Sequence, residues 1–170
     1  KLLAFHAKPE NKAESLARVK AHEAADQIIH GKYWENGKGC AVGCTLEQYT
    51  HAAYETELGI PQVLAHLEDC LFEGLTNDYA QHFPVMFLSA IPVGADLSLV
   101  APRFLHWMLV DQRHGVIRFA TTAQRRSAIR SIAVLYEGWI KGNPPSARAA
   151  RSAAESAAWS AARAARSAAW

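Results

Sequence analysis

The sequence predicts a mainly α-helical protein: an irregular bundle of about six helices with one small β-hairpin, followed by a long alanine-rich helix. Three observations carry this. Helical periodicity with matching start and stop signals runs through most of the 170 residues. One Asn-Gly pair gives a hairpin signal. The C-terminal segment puts every large side chain on one helical stripe.

The first helix is expected over Glu10–His30, with Ala17, Ala21, Ala24, Ala25 and Ile28 on one face and Gly31 ending the run. Asn36-Gly37, between Tyr33-Trp34 and Cys40-Ala41-Val42, predicts a type I′ hairpin because that turn needs positive φ at both central residues. Thr45 and Gln48 have capping-box spacing and would start a helix that Gly59 ends. Pro61 opens the next helix, whose expected buried stripe is Val63, Leu64, Leu67 and Leu71.

Phe83-Pro84 would start a short helix that stops before Pro92, and Val93-Gly94-Ala95-Asp96 reads as a turn. Ser98 would cap a helix reaching Val110, with Pro102 in or just past its first turn. Val116–Phe119 reads as a short extended piece. Thr121 or Thr122 caps a strong helix bearing Ile129, Ile132, Ala133, Tyr136 and Ile140 on one face, and Gly142 ends it. The expected organisation is a globular domain over 1–142, a proline hinge at 143–145 and a helical tail over 146–170.

In that tail Arg148, Arg151, Glu155, Trp159, Arg163, Arg166 and Trp170 are spaced 3, 4, 4, 4, 3 and 4. At about 100° per residue all seven fall within roughly 120°. The opposite half is alanine, so the segment reads as a straight helix that docks by its alanine face and supports self-association.

Net charge is +2, and with the four Arg and one Glu of the tail set aside the rest is nearly neutral. That balance argues against a nucleic-acid partner, which calls for a basic face in the body as well. Three cysteines are too few for a disulfide framework and their odd number fits a reducing compartment. No apolar run reaches the length of a membrane span, and Lys1–Phe5 is too short a stretch for a signal peptide. The expectation is a cytoplasmic protein with no membrane contact.

Any chemistry should gather near Gly39-Cys40-Ala41-Val42-Gly43-Cys44. The two glycines permit tight turning or close approach of a ligand. Cys40 or Cys44 as nucleophile, His22 or His51 as base and Asp26 as orienting acid make one candidate site. His22 and Asp26, four residues apart, would meet on a helix. Cys40, Cys44 and His51 form a weak zinc candidate, and no cofactor is favoured. Tyr33, Trp34, Tyr54 and Trp107 are candidates to line an aromatic pocket. The same cysteines also read as small hydrophobes threaded into a core, which is the commoner role. A second constellation pairs His51 and Glu55 with Glu68, Asp69 and Glu73, but most charged helical residues face water.

The motifs Gly39–Cys44, Leu58-Gly59-Ile60-Pro61, Leu67-Glu68-Asp69, Phe72-Glu73-Gly74-Leu75 and Ala90–Ser98, with a Ser-Ala-Ala-rich helical end, resemble a group of uncharacterised proteins encoded by bacteriophages and prophages. The resemblance implies a small accessory protein inside an infected or lysogenic bacterium, and it transfers no reaction or catalytic residue. The favoured expectation is a non-enzymatic binding or assembly module that sequesters a small metabolite or blocks a host defence component. The alternatives are a small cysteine-dependent enzyme and a protein with a structural metal.

Overall fold

The computed structural model describes residues 2–48, 50–146 and 148–149. Among them are seven α-helices and one two-stranded antiparallel hairpin. The chain groups into two compact units, Lys1–Ser98 and Leu99–Trp170. Most of the alanine-rich helix expected over 146–170 lies outside the described residues.

The first unit opens on a single turn, Ala4–Ala7, in which Phe5, His6 and Ala7 all take left-handed φ. Non-glycine residues resist that conformation. Tertiary contacts hold it: Phe5 is fully buried, Ala4 N–H donates to Ala95 O at 2.9 Å, and Gly94 N–H donates back to Ala4 O at 2.8 Å.

Helix α1 spans Pro9–Ala24. It ends six residues before the sequence signal, because Asp26 turns left-handed (φ 52°) and Ile28 bridges to Gly39. Its buried positions are Ser15, Val19 and His22, while the expected alanine face is exposed. Alanine buries little area, so Val19 and His22 set the orientation. Strands β1 (Trp34–Glu35) and β2 (Lys38–Gly39) pair antiparallel about Asn36 (φ 52°) and Gly37 (φ 78°), as the Asn-Gly signal predicts.

Helix α2, Ala41–Leu46, is buried at all six positions and packs against α1, α4 (Gln62–Glu73) and α5 (Asn77–Ala90). Thr45 therefore lies inside this helix, not at a cap: its hydroxyl donates to Ala41 O at 2.9 Å. Left-handed Glu47 (φ 54°) ends α2, and a separate α3, Ala53–Leu58, stops at left-handed Gly59.

On α4 the buried stripe is Leu64, Ala65, Glu68 and Phe72, one step round from expectation, and Val63 and Leu71 are each 42% exposed. Helix α5 begins seven residues before Pro84, which is buried inside it. Pro84 removes one backbone hydrogen bond, but the helix carries through because Ala80, Pro84 and Leu88 form its packed face.

In the second unit, α6 (Val100–Val110) packs against α7 (Ala123–Ile140). Ser98 does not cap α6: its N–H donates to Asp96 Oδ1 at 3.1 Å. Val116–Phe119 is a 3-10 turn, not extended, and Ile117 is its buried anchor. Thr122 caps α7 by accepting from Arg125 N–H at 3.2 Å. Ala133 is buried, Ile129, Ile132, Tyr136 and Ile140 are half-buried, and Gly142 (φ 91°) follows, all as the periodicity predicts.

Candidate functional site

The small residues of α2 exist to admit the chain's own backbone. A Cβ on Gly43 would stand 1.6 Å from Tyr33 O, and one on Gly39 would stand 2.2 Å from the same atom. The glycines expected to admit a ligand instead admit the Tyr33 carbonyl, and Cys40 N–H donates to Lys32 O at 2.7 Å. This close crossing brings Tyr33 and Cys40 towards one end of α4.

His22 is placed elsewhere. Its Nδ1 lies 2.7 Å from Gln27 Oε1, its Nε2 lies 3.0 Å from Glu47 Oε1, and its ring meets Trp34 edge-on. The expected His22–Asp26 pair does not form, because α1 ends before Asp26, which is exposed. Both ring nitrogens are engaged, so His22 is not positioned as a base for either thiol. Trp34 belongs to this His22 group.

The remaining candidates converge. The Asp69 carboxylate is a neighbour of the Cys40 thiol and helps to raise it. Asp69 Oδ2 is 3.4 Å from His51 Nε2, close enough for ion pairing but out of hydrogen-bond alignment. The His51 ring stacks on His66 at 4.0 Å and meets Tyr33 edge-on at 4.9 Å. Behind them Tyr54 OH donates to Glu68 Oε2 at 2.5 Å, with both residues fully buried.

Among the described residues, four of the five buried side-chain N and O atoms without a hydrogen-bond partner belong to this cluster: Tyr33 OH, His51 Nε2, Glu68 Oε1 and Asp69 Oδ1. Such atoms are costly when left unmet. The cluster reaches solvent at one side, where the His51 and Asp69 side chains keep 17% and 25% exposure and His66 is exposed.

The electrostatics follow from burial. Glu68 is pushed up to about 8, chiefly by desolvation, which the Tyr54 hydrogen bond opposes and the Asp69 charge reinforces. Desolvation first, then the neighbouring Asp69, holds the Cys40 thiol well above its ordinary range. Burial pushes Cys44 up to about 12, and that thiol donates to Gly39 O at 3.3 Å. Tyr33 and Tyr54 are raised by burial and by their acidic neighbours. Desolvation, then His51, lowers His66.

Cys40 and Cys44 thus have different partners. Among the described residues no group of three His, Cys, Asp or Glu side chains is arranged to hold a metal ion. Trp107 lies in the second unit, stacked on Phe104 at 6.0 Å. Glu73 accepts from Gly31 N–H and Glu55 from Gln62 N–H, so neither joins it.

His66 has no place in either constellation that the sequence offers, and Glu68, named in the second one, is expected there to face water but is fully buried. A signal was present for Glu68: Leu64 and Phe72 flank it at i−4 and i+4, which places it on the apolar stripe. Among the described residues no helix is long and apolar enough to cross a membrane. Comparison with protein-family models, with curated proteins and with solved structures finds no match to the chain.

Proposed function

We propose that the protein is a non-enzymatic binding module whose ligand site is the Tyr33–His51–Glu68–Asp69 cluster, and that the ligand is a small molecule bearing a primary ammonium group. The convergence of four unmet buried polar atoms carries this reading. Asp69 brings a negative charge that no Lys or Arg is paired with among the described residues. A small cation that donates hydrogen bonds would satisfy Asp69 Oδ1, Glu68 Oε1 and the Tyr33 hydroxyl together.

A cysteine nucleophile has less support. Nucleophilic catalysis needs a thiolate activated by a base that a third group orients. Here the acidic neighbour Asp69 and burial raise the Cys40 thiol, burial raises Cys44, and both thiols stay protonated at neutral pH. The resemblance to bacteriophage and prophage proteins supplies the setting: an accessory protein that sequesters a metabolite or a host component, assembled through its tail.

The test is an NMR titration of the full chain with methylammonium chloride against sodium chloride at equal ionic strength, following the His51, His66 and Tyr33 ring signals. Saturable shifts with methylammonium alone, lost in Asp69→Asn, are expected. Responses that are linear, or the same in both salts, defeat the reading.

A further inference from the structure

We propose that the α7 side of the second unit is a docking surface for single-stranded nucleic acid. The near-neutral balance that argued against such a partner is an average over two unlike units. Residues 1–98 carry 7 Lys and Arg against 13 Asp and Glu, a net of −6, whereas residues 99–170 carry 11 against 3, a net of +8. Residues 112–136 hold five arginines and no acidic residue.

These arginines are displayed. Arg118, Arg125, Arg126 and Arg130 are exposed, and neither the Arg126 nor the Arg130 side chain forms an ion pair or hydrogen bond among the described residues. Arg126 and Arg130 border an open concavity with Ala123, Ser127, Ser131 and Val134. At about 100° per residue that face lies across α7 from the stripe of Ile132 and Tyr136. Its small side chains let a sugar-phosphate strand approach the helix between the two guanidinium groups, whose forked donors match phosphate oxygens.

The first turn of α7 has no acidic residue but does have Arg125, and Arg126 follows. Positive side chains there oppose the helix dipole, a cost that a bound anion removes. Phe119, just before the Thr122 cap, is 66% exposed, and the Arg118 guanidinium sits 4.4 Å over its ring. An exposed aromatic ring in an arginine-rich surface is the pairing that stacks unpaired bases while neutralising their backbone, which favours a single strand over an acidic protein.

Fluorescence anisotropy of a labelled oligothymidylate of about 20 nucleotides, titrated with the full chain, tests this. Saturable binding is expected at low salt, with log K falling linearly in log[salt] by about 0.7 per phosphate contacted. Arg126→Ala/Arg130→Ala should flatten that slope by roughly 1.4. Phe119→Ala should weaken binding roughly tenfold and leave the slope unchanged, because stacking releases no counterions. Circular dichroism of each variant checks that the fold is kept. Absence of binding at low salt, or binding that the double arginine variant leaves unaltered, overturns the proposal. So does salt-sensitive self-association on sizing chromatography without oligonucleotide binding, which would make the acidic unit of a second copy the partner. Loss of the methylammonium response alone bears on the cluster and leaves this surface untouched.

Discussion

The first unit, at net −6, keeps its distinctive polar groups inside; the second, at net +8, sets them outside. Helix α2 is buried at every position and Glu68 is fully enclosed, whereas α7, three times as long, has one buried residue, Ala133. An enclosed polar group is governed by desolvation and by its few neighbours, and its properties shift far from their usual values. A displayed charge keeps its ordinary chemistry and acts through the summed field.

That contrast is open to several tests, taken from the largest effect down. Gly43→Ala should cost at least about 3 kcal/mol or abolish folding, because its Cβ meets immovable backbone at 1.6 Å. The matching change in the second unit, Gly142→Ala, meets nothing within 4 Å and should cost only about 1 kcal/mol for its positive φ. Urea denaturation of both variants measures the gap, and equal costs would break the contrast.

Burial of Glu68 predicts a pH dependence. Its carboxyl titrates near 8 in the folded protein, above the ordinary 4.5. Between those values the unfolded chain ionises while the folded one holds its proton. The stability tied to this group is therefore fully present below about 4.5 and declines until pH passes 8. The loss is on the order of 5 kcal/mol. Glu68→Gln should flatten that part of the stability–pH curve and leave the protein more stable at pH 8. An unchanged slope would falsify the burial argument.

Thiol reactivity divides buried from exposed cysteine. Cys70 is exposed, while Cys40 and Cys44 are buried with raised pKa values. Iodoacetamide near neutral pH should label Cys70 at least about a hundredfold faster than the other two. Peptide mapping after brief labelling reads the ratio, and early modification of Cys40 would restore the nucleophile reading. The smallest effect belongs to the surface: Thr122→Ala removes the α7 cap and should cost about 1 kcal/mol by thermal melting, with the cluster undisturbed.

Local features were legible in proportion to how locally they are decided. The Asn36-Gly37 hairpin, the stop at Gly59 and the Thr122 cap are set by backbone preferences of a few adjacent residues, and all were readable. Burial was misjudged on α1 and α4, where a helix with apolar residues on more than one side can rotate by one position to suit its neighbours. On α4 that rotation turns Glu68 inward and leaves Val63 half exposed. Residue chemistry alone points to Tyr33, Cys40, His51, Tyr54, Glu68 and Asp69, and it also pairs His22 with Asp26, a pairing undone by a helix end that no local signal marks.

By itself the sequence determined a mainly helical protein, its hairpin, most of its helix ends and the arginine-rich makeup of its C-terminal part, because those depend on short-range sterics and composition. Only the tertiary structure decided that Cys40, His51, Glu68 and Asp69 share one site while His22 does not. Their meeting depends on three packed helices and on one backbone crossing that glycine alone permits. Tertiary packing also drew the boundary near Ser98 that divides a near-neutral chain into an acidic half and a basic one. Charge adds along a sequence, but the field a partner meets is set by which residues fold together.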